Sequence, residues 1–178
     1  MKRQKPTIIN PHRPMNAASL NEIKKELNAL DTLALQQLCL RLARYKKENK
    51  ELLTYLLFEA HDEGSYVLNI KNDVDALFLT VPKGNVYFIK KTIRKIVRHI
   101  NRLIRYSGAP VTELEVRIYF CEKIRAAGIP LQHSTVLNNL YQQQVKKTVQ
   151  VWSKLPEDLQ FDYERELRSI HEHVGMNF

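Results

Sequence analysis

Residues 85–107 read NVYFIKKTIRKIVRHINRLIRYS. Within them Val86, Ile89, Ile93, Ile96, Val97, Ile100, Leu103 and Ile104 recur at one, three or four residues, the spacing that gathers side chains on one face of a helix. Projected at 3.6 residues per turn, Lys90, Lys91, Arg94, Lys95, Arg98, Arg102 and Arg105 fall in an opposite arc of about 140°. Tyr87 and Asn101 share that arc. One face is made to pack and the other presents cations. Gly108 supplies a left-handed helix end and Pro110 prevents continuation, so the helix is bounded on sequence grounds alone.

The same punctuation organises the rest of the chain. Gly128 and Pro130 close the next helix, for which Thr112 and Glu115 read as a capping box, a hydroxyl and a carboxylate satisfying the first free NH groups reciprocally. Ser134 opens a seventh helix running to about Ser153, and Pro156 suits the first turn of an eighth ending before Gly175. Upstream, Ser19 with Glu22 is a second capping box, followed by Leu20, Ile23, Leu27 and Leu30. A helix is expected from Asp31 or Thr32 to about Lys47, and another from Ser65 to about Thr80. Between them a helix starting near Asn49 carries Leu52, Leu53, Tyr55, Leu56, Leu57 and Phe58. So little polar surface predicts that it is enclosed by others. The expected fold is all-α: a single domain of about eight helices over residues 19–175, arranged as an irregular antiparallel bundle or stacked helical hairpins.

Residues 1–18 differ in kind. Pro6, Pro11 and Pro14 accompany Lys2, Arg3, Lys5 and Arg13 with no acid, which predicts a flexible basic arm. No apolar segment follows the first cations, so they do not read as a secretory signal, and the prolines argue against an amphipathic transit helix.

Composition excludes several function classes. The five glycines, at 64, 84, 108, 128 and 175, all fall at predicted helix boundaries. None is left for a phosphate-cradling loop, a dinucleotide turn or a nucleophile elbow. Cys39 and Cys121 lie in apolar stretches and are expected to fill core space rather than form a secreted disulfide framework. The six histidines are scattered, and His171 and His173 fall on different sides of a helix, so no metal site is expected. The chain reads as a cytoplasmic protein without enzymatic activity, cofactor or membrane association.

Its charge is the informative feature. The net charge is +9, and from Ala76 to Thr112 no acid accompanies Lys83 and the seven cations of the long helix. Lys91, Arg94, Arg98, Arg102 and Arg105 form a row along roughly 20 Å of helix. Like charges three or four apart cost an isolated helix a few tenths of a kcal/mol each, so something offsets them. Acids elsewhere in the chain are one answer. Residues 51–82 hold Glu51, Glu59, Asp62, Glu63, Asp73 and Asp75 against Lys71 alone, and the segment from Glu157 to Glu166 is also acidic. Glu59, Asp62 and Glu63 read as the end of a helix, where the dipole favours a cationic neighbour. Packing of the apolar face is the other answer, which would leave the cations as a simply solvated face. Polyanion binding is the functional reading, because arginine predominates in the second half of the row and suits bidentate phosphate contact.

The expected function is binding of RNA or a ribonucleoprotein surface through phosphates. Lys90, Lys91, Arg94, Lys95, Arg98, Arg102 and Arg105 carry it, Tyr87 is a stacking neighbour, and Lys2, Arg3 and Lys5 form a tether. The alternative is a helical scaffold that docks an acidic protein or oligomerises. Tyr106, Tyr119 and Trp152 are read as helix-packing residues.

Overall fold

The fold comes from a computed structural model, in which residues 17–171 are described. It is all-α: α1 Leu20–Asn28, α2 Thr32–Tyr45, α3 Lys47–Thr54 continuing into a π-helical turn at Tyr55–Glu59, α4 Glu63–Leu79, α5 Val86–Ser107, α6 Pro110–Ala126, α7 Thr135–Trp152 and α8 Glu157–His171. No strand occurs among the described residues. The tether residues Lys2, Arg3 and Lys5 lie outside them.

Two units divide the chain, residues 1–50 and 51–178. In the first, the Ser19 and Glu22 capping box forms as expected, with the Ser19 NH donating to Glu22 Oε2 at 2.8 Å. Asp31 caps α2 by accepting from the Ala34 NH at 2.7 Å. Neither helix buries a residue. Cys39 is therefore exposed, contrary to its expected core role, because leucines adjacent in sequence make no core on a helix that buries none of its faces.

The second unit is organised around α6, which packs on α4, α5, α7 and α8. Leu114, Val116, Ile118, Phe120, Cys121 and Ile124 bury most of its circumference. Onto it come Tyr66, Ile70 and Val74 of α4, Ile89, Ile93, Ile96, Ile100 and Ile104 of α5, Leu137, Tyr141 and Val145 of α7, and Leu167 and Ile170 of α8. Hydroxyls pin the helices to one another. Tyr66 donates to the Leu103 carbonyl at 3.0 Å and Tyr141 to the Ile170 carbonyl at 3.0 Å.

Three local expectations are corrected. The Leu52 to Phe58 stretch is not enclosed: Leu57 is 62% and Phe58 67% exposed. A π turn, closed by the Ala60 NH on the Tyr55 carbonyl, buries Tyr55 against Tyr66 while the side chains after it stay at the edge of the bundle. Asp62 and Glu63 do not end a helix; they begin α4. Asp62 caps it by accepting from the Ser65 NH at 3.0 Å, a position where the dipole favours an anion. Finally, α6 starts at Pro110 rather than after Thr112. Proline needs no NH partner at a first helical position and its φ is preset for the helix. The Ala109 NH is taken by Ser107 Oγ, leaving the Thr112 hydroxyl free to donate to Glu63.

Candidate nucleic-acid interface

Gly108, at φ 67°, closes α5 with its NH on the Ile104 carbonyl at 2.9 Å, as the glycine and proline pair predicts. Asn85 opens it, accepting from the Tyr87 NH at 2.9 Å. The five buried isoleucines fix the rotation of α5 on the core, and the cationic arc consequently points outward. Lys91, Arg94, Lys95, Arg98 and Arg105 are exposed or partly so, and Lys90 and Arg102 half-buried.

The acids that could have lined this face are mostly engaged elsewhere. Glu63 accepts from the hydroxyls of Tyr55, Ser107 and Thr112. Burial alone would raise its carboxyl, but these three donors outweigh that and hold it below the usual carboxylate range. Asp75 pairs with Lys123 at 2.7 Å and accepts from the Tyr119 hydroxyl at 2.7 Å. Glu115 pairs with Lys71 at 2.8 Å and accepts from Tyr163 at 3.0 Å. The acidic helix α8 packs on α6 and α7.

Internal pairing reaches one position of the row. Arg102 Nε lies 3.1 Å from Glu51 Oε2, its Nη2 lies 3.2 Å from His99 Nδ1, and His99 Nε2 lies 3.2 Å from Asp73 Oδ2. Arginine only donates, so Nδ1 accepts and Nε2 carries its proton toward Asp73. Arg102 is thereby a structural cation as well as a surface one. Lys90, Lys91, Arg94, Lys95, Arg98 and Arg105 make no ion pair among the described residues.

Two grooves run along this face. One, of about 500 Å³, lies between α4 and α5 over Asp73, Leu77, Lys95, Arg98, His99 and Arg102. The other, of about 360 Å³, is lined by Tyr87, Lys90, Lys91, Arg94 and Arg98. Arg98 borders both. Tyr87 is 64% exposed and meets Phe88, 51% exposed, edge to face with ring centroids 5.4 Å apart. Tyr106 and Tyr119 differ, donating to Glu51 and Asp75 and packing against the core. Sequence reasoning missed Phe88, for which its place beside Tyr87 was the only local signal. It named Glu51 and Asp73 among the acids that could line the row, but not His99, which links Arg102 to Asp73.

Other features carry less. A wider depression of about 1050 Å³ at the α6 to α7 turn is lined by Pro130, Leu131, Gln132 and other neutral groups beside Glu122, Arg125 and His133, without a cluster of one charge. Burial pushes the Cys121 thiol up to about 12, so it stays protonated near neutral pH. No helix among the described residues is long and apolar enough to cross a membrane, and no three His, Cys, Asp or Glu among them gather as metal ligands do. No family model, curated protein or solved structure matches the chain.

Proposed function

We propose that this chain is a non-enzymatic, cytoplasmic binder of RNA or of a ribonucleoprotein surface, holding phosphates along the outer face of α5. The observation that carries this reading is the row of outward cations at Lys91, Arg94, Arg98 and Arg105 with no ion-pair partner among the described residues. Along a helix of 22 residues, that row offers successive charges about 4.5 to 10 Å apart. Positive potential at the helix N-terminus adds to the lysines there, where no acid occupies the first turn. A phosphate backbone relieves both repulsions. The two free cysteines support the cytoplasmic placement.

The test is binding of labelled double-stranded DNA, single-stranded RNA and a structured RNA across a salt series. Wild type is compared with Lys91, Arg94, Arg98 and Arg105 changed together to Glu; Arg102 is kept because it pairs with Glu51. The expected log-log salt slope for wild type is about −3 to −6, the signature of about four to six neutralised phosphates, with binding lost in the folded variant. Absence of binding to all three at moderate salt would overturn the proposal in favour of an acidic protein partner.

A further inference from the structure

We infer that the groove at the N-terminal end of α5 is a seat for one unpaired nucleotide, its base stacked on Tyr87 and its backbone continuing along the cation row, so that the partner is single-stranded there. This rests on the phosphate-binding reading of α5 and narrows it.

The groove contains one aromatic ring and four cations, with no acid in its lining. Seen down the helix, Tyr87, Arg94, Arg98 and Arg105 fall within about 40° of one another, with Lys91 at the edge of that arc. The ring therefore stands at the head of the row. Tyr87 is not a core residue: it is mostly exposed. Phe88 meets it edge to face and leaves its surface uncovered.

An exposed aromatic beside a line of cations is the combination that holds single strands, because every base offers a π face and every linkage a charge. Duplexes keep their bases stacked on one another, out of reach of such a ring. A simple polyanion would use the cations and leave the ring idle. RNA and DNA strands share the chemistry recognised, so both enter the test.

The test is fluorescence anisotropy at one fixed salt concentration, with oligouridylate, oligothymidylate, an abasic phosphodiester strand and a duplex, all of about 12 nucleotides. Wild type is expected to bind at least one base-bearing strand about tenfold or more tightly than the abasic one. Tyr87→Ala should bring that ratio close to one and Tyr87→Phe should preserve it. Uridylate above thymidylate identifies RNA as the source of the strand, and the reverse identifies DNA. Equal binding of abasic and base-bearing strands by wild type overturns the inference without recourse to any variant. If the Lys91, Arg94, Arg98 and Arg105 reversal still abolishes binding in that case, the phosphate reading stands without the seat. No binding of any strand removes both.

Discussion

α5 and α6 are consecutive helices, both rich in charge, and they use it in opposite ways. On α6 the charged groups join the bundle together. Arg117, only 4% exposed, pairs with Glu113 at 2.6 Å and donates to Gln144 at 2.7 Å. Glu115 reaches Lys71 of α4, Lys123 reaches Asp75 of α4, and Arg125 donates to the Ser169 carbonyl of α8. On α5, among the described residues, only Arg102 is engaged in this way, with His99 hydrogen-bonded between it and Asp73. Most of the charge on α6 is consumed by the fold, and most of that on α5 is surplus to it. That difference, more than the number of cations, makes α5 the candidate interface.

The largest expected effect of breaking the comparison is on α6. Arg117→Met leaves Gln144, itself buried, without its donor and Glu113 without its cation. The loss should be about 3 kcal/mol, read from urea denaturation. Lys95→Met on α5, a similar loss of charge, should change stability by less than about 0.5 kcal/mol. Equal losses would remove the distinction between the two helices.

A smaller effect is expected where α4, α5 and α6 meet. Glu63 joins Ser107 at the end of α5 to Thr112 at the start of α6, and Glu63→Ala should cost about 2 kcal/mol by stranding the hydroxyls. The pH dependence follows from its depressed folded-state value. The unfolded chain binds a proton more readily than the folded one, so the contribution is fully present above the ordinary Glu value of 4.5 and is lost as pH falls through the lower folded value. Glu63→Gln should therefore flatten the acid limb of stability against pH. An unchanged acid limb would mean that other carboxylates govern it.

How much of this was legible in the sequence follows from the same contrast. α5 was readable because its isoleucines and cations segregate so completely that the helical period alone divides them, and because Gly108 and Pro110 mark its end. α6 was not readable as the central helix: Glu115 and Arg117 look like a solvated surface until their partners from α4 and α7 are in place. Local composition misled in the opposite direction at Leu56, Leu57 and Phe58, where an apolar run lies at an edge. The Glu63 corner was hidden for a related reason, since Tyr55 and Glu63 meet Ser107 and Thr112, more than forty residues away, only after the helices pack. The cation row was thus visible and its lack of partners was not.

The smallest expected effect is the most discriminating. Changing Lys91, Arg94, Arg98 and Arg105 together to Glu should leave stability within about 0.5 kcal/mol of wild type, despite reversing four charges. The carboxylate introduced at position 91 would face Lys95 and the one at position 98 would face Arg102, each a favourable pair four residues apart worth a few tenths of a kcal/mol. The carboxylate at position 94 gains Lys90 in the same way. Positions 91 and 94 and positions 94 and 98 still carry like charges, and the carboxylate at 105 opposes the helix C-terminus, so gains and losses nearly cancel. Arg102→Glu should behave differently, because it sets a carboxylate against Glu51 and removes the donor to His99; its cost should be about 1 to 2 kcal/mol. A denaturation series on these two variants separates the engaged position from the surplus ones within a single helix. If the quadruple reversal instead cost as much as Arg117→Met, the α5 cations would belong to the fold as those of α6 do. The exposed row would then cease to be evidence for a polyanion.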